Sequence, residues 1–352
     1  MTVRRPHQLL AALLGLSFLG ACAETSPSAP PPEEVLLVVN STEASLSIVP
    51  VENPVAAVKV PLGGTSPTPV GVSARNGIAL VPMGLDNSVA VVDLGRAQVV
   101  RSIPLPANSG ATGSAIVDDS LGYVANPNLN TVTRVNYRTG DTASVKVGVY
   151  PQGIVYTRGK LFVLNGNLVN FVQAGPSWIT VVDPVTNAKA SGGDSIALAD
   201  NPGNAGFGAV GNDGELYVVS TGSYSQPEGR LSIVRPVDRV EELSIAGWGT
   251  APGNVAAGVG DTIYISSYSE GIMAFDISKR VVVRGAGNGV SLPLNAAVEV
   301  DDEGRVYGAS IGPCSGGVPG TIHVYRGDLS AITSFPVGEC PVGLAVTRIP
   351  PQ

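Results

Sequence analysis

The chain has 352 residues, 44% hydrophobic and only 14% charged, with a formal net charge of −7. That balance offers no basic footprint for nucleic acid. Its 44 glycines and 28 prolines cut it into short segments crowded with β-branched residues, which points to an all-β fold.

Residues 1–21 read as an export signal. Arg4 and Arg5 precede an apolar run from Leu9 to Leu19 that is too short to span a bilayer as a helix. The run ends in Leu19-Gly20-Ala21-Cys22, which resembles a bacterial lipobox. The resemblance implies cleavage before Cys22 and lipidation of that residue, hence a membrane-anchored protein of the cell envelope. Ala23, rather than Asp, after the lipid site favours the outer membrane, facing either the periplasm or the outside. Residues 22–33 are Pro/Ser-rich, without apolar period, and form a tether. Loss of Arg4 and Arg5 takes the formal net charge from −7 to −9.

Residues 34–352 carry a repeat. One strand type recurs as "LLVVN" (Leu36–Asn40), "LFVLN" (Leu161–Asn165), "LYVVS" (Leu216–Ser220), "IYISS" (Ile263–Ser267) and "RVYGAS" (Arg305–Ser310). Each precedes an alternating strand such as "SVAVVDL" or "WITVVDP", and then a third such as "VVRSIPLP" or "AITSFPVG". A new unit then opens on Pro-x-Gly or Pro-x-Asn, at Pro69, Pro151, Pro202, Pro252, Pro293 and Pro341, with a proline-less version at Ala111-Thr112-Gly113. With the opening strand named A and the others B, C and D, seven A strands and seven B-C-D sets predict a seven-bladed β-propeller of four-stranded antiparallel blades. The chain begins on a B strand and ends on an A strand, so the C-terminal strand is expected to close the ring by joining the N-terminal blade.

The repeat resembles that of the YVTN or YncE-like propellers, with "SVAVVDLGRAQVVRSIPLP" (Ser88–Pro106) the best match. The family residues concerned are structural, and the resemblance carries over no functional residue. Some surface lipoproteins of this group capture corrinoids for an outer-membrane transporter, and the chain is similar to them in lipobox, tether and blade number.

In such a meander the B–C and D–A loops emerge on one face, here named the top. Cys314 falls in the B–C loop of the last blade and Cys340 in the adjacent D–A loop, so the two are expected to form a disulfide. His323 is the one histidine left after signal removal, and it excludes any multi-histidine metal site. Acidic pairs in "DDSLG", "NDGE" and "DDEG" fit A–B turns, and the top loops offer few carboxylates (Asp86, Asp200, Glu228, Glu339). No metal, cofactor or catalytic residue is expected.

The top loops do hold aromatic and amide side chains: Tyr150, Phe171, Trp178, Tyr224, Tyr268 and Trp248, with Asn204, Asn254 and Asn295 replacing the opening glycine in three consecutive units. Together they read either as a ligand-binding rim or as loop-packing aromatics with asparagines tolerant of left-handed backbone. The expected function is that of a non-enzymatic, monomeric envelope lipoprotein whose top face binds a small ligand, a peptide or an envelope protein, as in nutrient or cofactor capture for an outer-membrane transporter. A scaffold in an envelope assembly complex and a lactonase-like hydrolase are the alternatives.

Overall fold

In a computed structural model that describes residues 31–199 and 202–351, seven sheets of antiparallel strands form a ring. The expected signal peptide, Cys22, most of the expected tether and Asp200 lie outside the described residues. Each sheet is a blade in which A, B, C and D follow in order from the axis outward. Blade 4 departs from the pattern twice. Its D strand is split into Ala188–Lys189 and Ser195–Ala197, both paired with Trp178–Asp183, and its B–C insertion folds into a hairpin of Leu168–Val169 and Val172–Gln173.

The core is not one cluster but seven, each shared by two adjacent blades. This arrangement explains the near-continuous apolar B strands. Alternate residues of a strand face opposite sides of its sheet, and both sides of a blade are covered. Val35, Leu37 and Val39 accordingly enter the cluster shared by blades 1 and 2, while Leu36 and Val38 enter the one shared by blades 7 and 1. The B strands of blades 1, 3 and 4 end on a buried asparagine that binds C-strand hydroxyls. Asn40 donates to Ser45 and Ser47 at 2.9 Å, Asn126 to Thr131 and Thr133, and Asn165 to Thr180.

Closure follows the expected route. Pro341–Ile349 pairs antiparallel with Glu33–Asn40, from Glu33 opposite Ile349 to Asn40 opposite Pro341, and becomes the innermost strand of blade 1. Cys314 and Cys340 are bonded, with Cα atoms 4.6 Å apart. The opening glycines are required by this crowding at the axis. A Cβ on Gly113 would lie 2.3 Å from the Gln152 carbonyl oxygen, and one on Gly153 at 2.3 Å from that of Gly206.

The acidic A–B turns lie on the opposite, bottom face. Asp118 accepts the Ser120 and Leu121 amides, and Asp213 the Glu215 amide. Asp301 accepts those of Glu303 and Arg305 as well as the Tyr307 hydroxyl at 2.7 Å.

Candidate functional site

The seven A strands enclose an axial cavity of about 660 Å³. Most of its wall is backbone and small or apolar side chains, including Val72, Val155, Ala209, Ala256 and Ala345. The polar side chains on it are Thr112, Ser114, Gln152, Thr221, Asn254, Tyr224, Tyr268 and Glu299.

Five of the A strands are entered through a non-glycine residue in the left-handed region: Tyr150 (φ 54°), Asn204 (64°), Ala251 (52°), Leu294 (55°) and Cys340 (61°). A side chain there costs backbone energy, and at Tyr150 it sets an aromatic ring at the mouth. Tyr150 meets Phe171 edge-on, with ring centroids 5.9 Å apart. Phe171 comes from the turn of the blade 4 hairpin and Tyr224 from the long B–C loop of blade 5. Both hold left-handed backbone, at φ 63°. Tyr268 follows the B strand of blade 6. Burial raises the phenol pKa values of Tyr150 and Tyr268, and the nearby Tyr224 phenol raises each a little further. The rings nonetheless reach solvent: Phe171 is 75% exposed, Tyr224 57% and Tyr268 43%. Blades 4, 5 and 6 thus place an aromatic crescent over one side of the mouth.

The other sequence-derived candidates lie elsewhere. Trp248 is fully buried in the cluster shared by blades 5 and 6, and its indole nitrogen has no partner. Trp178 opens the C strand of blade 4, where its carbonyl accepts the Asn165 amide. The three asparagines do not occupy equivalent places, because the D–A connections differ in length. Asn204 is the left-handed residue before its A strand, buried between Gln152 Nε2 at 2.8 Å and the Gly222 carbonyl. Asn295 is the first A-strand residue of blade 7, buried and donating to the Gly271 carbonyl at 2.9 Å. Asn254 alone takes the place of the opening glycine and lines the cavity, where its Oδ1 accepts the Val298 amide.

Glu299 was missed by sequence reasoning. Among the described residues it is the only ionisable acid or base on the cavity wall apart from the tyrosines. Water can touch the side chain, yet protein surrounds it densely, and this desolvation pushes its carboxyl up to about 7 against the Val300 amide that hydrogen-bonds Oε1 at 3.0 Å. The signal lay in register. Glu299 stands opposite Tyr307, three residues before the end of its B strand. The corresponding A-strand residues in the other six blades are Ser73, Ala115, Val155, Ala209, Ala256 and Ala345. Among the described residues no group of three or more His, Cys, Asp or Glu could hold a metal ion.

With this geometry in view, solved structures place the fold. The chain is a seven-bladed β-propeller. Kuenenia stuttgartiensis hydrazine synthase is similar over 82% of this chain and 97% of that one, at 15% identity and a TM-score of 0.65. A streptogramin B lyase is similar over 78% and 94%, at 11% identity and a TM-score of 0.61. At such identities the likeness concerns the fold alone. No protein-family model and no curated protein matches the sequence.

Proposed function

We propose that this propeller is a non-enzymatic binding module of the cell envelope, which takes a ligand at its top mouth. The observation that carries this reading is the aromatic cluster at an axial cavity of about 660 Å³, where Tyr224 and Tyr268 line the wall and Tyr150 and Phe171 adjoin them. A concave, mainly apolar site with a few placed polar groups is the usual form of a small-molecule pocket. Exposed aromatic rings supply contact area at low entropic cost.

The lipobox at Cys22 supports a lipid anchor, and the strand order supports a defined presentation. Glu33, from which the tether leads, stands at the bottom end of its strand opposite Ile349, whereas the mouth is formed by top loops. An anchored protein would therefore hold its mouth away from the membrane, as capture for a transporter requires.

The test is a thermal-shift screen of the mature chain against corrinoids, siderophores, glycans, peptides, amines and neutral aromatics, repeated with the Tyr224→Ala/Tyr268→Ala variant. A site ligand raises the melting temperature by mass action, and the shift should vanish in the variant while its ligand-free stability is unchanged. A screen without shifts, or shifts that persist in the variant, would overturn the reading.

A further inference from the structure

Glu299 has no structural employment. Its only hydrogen bond is to the amide of the next residue, Val300, and no Lys or Arg perturbs it. The other six blades build the same position from alanine, valine or serine, so the ring is assembled without a carboxylate there. A buried carboxylate without a partner is costly. Asp301, a fully buried acid, is compensated by Arg305 and by the Tyr307 hydroxyl, whereas Glu215 Oε2 and Glu241 Oε1 are also buried without a partner but lie outside the cavity wall. Glu299 instead faces a cavity large enough for a small organic molecule, whose mouth carries Tyr224 and Tyr268.

From this we infer that the axial cavity is a binding site for an organic ammonium ion, a protonated amine or quaternary ammonium with an apolar or aromatic body, whose charge pairs with Glu299 inside the ring. The proposal rests on the binding reading above and names its ligand class. The chemistry is complementary at both ends. Phenol faces attract cations during entry, and a carboxylate in surroundings of low dielectric constant then forms a charge-assisted hydrogen bond or ion pair much stronger than one in water. An anionic ligand would meet repulsion from Glu299, with no cation on the wall to offset it. Inorganic divalent metal is disfavoured because the other oxygen donors on the wall are neutral and Glu299 stands alone among them.

The experiment is calorimetric titration of the mature protein at pH 8 with 2-phenylethylammonium, benzyltrimethylammonium and 1,5-diaminopentane, against the neutral 2-phenylethanol. At least one ammonium ion should bind about tenfold or more tightly than the alcohol, and Glu299→Gln should abolish that preference while leaving the alcohol's affinity in place. Glu299→Ala installs the residue that four of the other blades carry, and serves as a second variant should the glutamine disturb folding. No ammonium preference at millimolar ligand, or a preference that survives in both variants, overturns the inference. A neutral or anionic hit in the broader screen that depends on Tyr224 and Tyr268 but not on Glu299 would leave the binding reading standing and this one refuted. Silence in both experiments would remove both.

Discussion

The backbone carbonyl of Cys340 accepts the amide of Ser41 at 2.9 Å, while its sulfur is bonded to Cys314. One residue thus ties the closing strand both to the first blade and to the last. The bridge spans 26 residues, and a loop of that size contributes about 3 kcal/mol in the chain-entropy picture. Replacing both cysteines by serine should lower the unfolding free energy by about this amount in urea titrations. Thiol titration of the native wild type should find no free thiol until reductant is added.

Trp248 tests whether its ring acts as packing. Trp248→Ala should cost about 3–5 kcal/mol, because it empties a fully enclosed site between blades 5 and 6. Trp248→Phe should cost clearly less, since it keeps an aromatic ring and removes an indole N–H that has no partner. Equal losses in the two variants, read from chemical unfolding, would contradict that account.

Glu299 gives a pH signature. Its folded carboxyl is raised from 4.5 to about 7, so between those values the native state binds the proton more tightly than the unfolded chain. Stability therefore falls as pH rises through this window, and the full cost is present above pH 7. The shift corresponds to at most about 3.5 kcal/mol. Glu299→Ala should match the wild type near pH 4, apart from the packing change, and be more stable at pH 8. Parallel curves for the two proteins between pH 4 and pH 8 would show that the carboxylate is not desolvated. An ammonium ligand should bind wild type more tightly as pH rises through 7, and the Ala variant should lose that dependence. Among the described residues, no titratable group other than Tyr224 and Tyr268 lines the cavity wall beside Glu299.

On the bottom face, Arg305 bridges Asp301 of its own turn and Glu52 of blade 1, the latter at 2.6 Å. Asp301→Ala would strand the Tyr307 hydroxyl and one side of that guanidinium. A loss of about 3 kcal/mol is expected, against less than about 1 kcal/mol for Glu52→Ala at the exposed end. Unfolding free energies of the two single variants check the contrast.

The ring, its closure and the disulfide were legible because they depend on order along the chain: strand types in a fixed sequence, and two cysteines in loops of one face. The mouth was legible only in part. Tyr150, Phe171 and Tyr224 stood out as scarce aromatics in long connections, and the structure brings them together. Trp248 carried the same signal but turns inward, because the short loop after Ala246 leaves its ring facing the apolar space between two blades. The asparagines misled for a different reason. Proline seemed to mark the start of every A strand, yet Pro202 lies three residues before Ala205 and Pro293 two before Asn295, so the aligned repeats slipped. The same slip hid Glu299, whose oddity appears only beside Ser73, Ala115, Val155, Ala209, Ala256 and Ala345 in true register.

The closing strand also sets a timetable. Of the seven inter-blade clusters, the two that flank blade 1 include residues of Pro341–Ile349: Val342, Ala345 and Ile349 in one, Leu344 and Val346 in the other. A chain threaded out from its N-terminus can build the other five in order as their strands emerge. Its first blade must wait, with Glu33–Asn40 lacking an inner neighbour, until the last strand arrives. That strand edge is open to unwanted pairing throughout, so the speed at which the chain is delivered and the holdase supply should limit the yield of this protein more than the stability of any single blade.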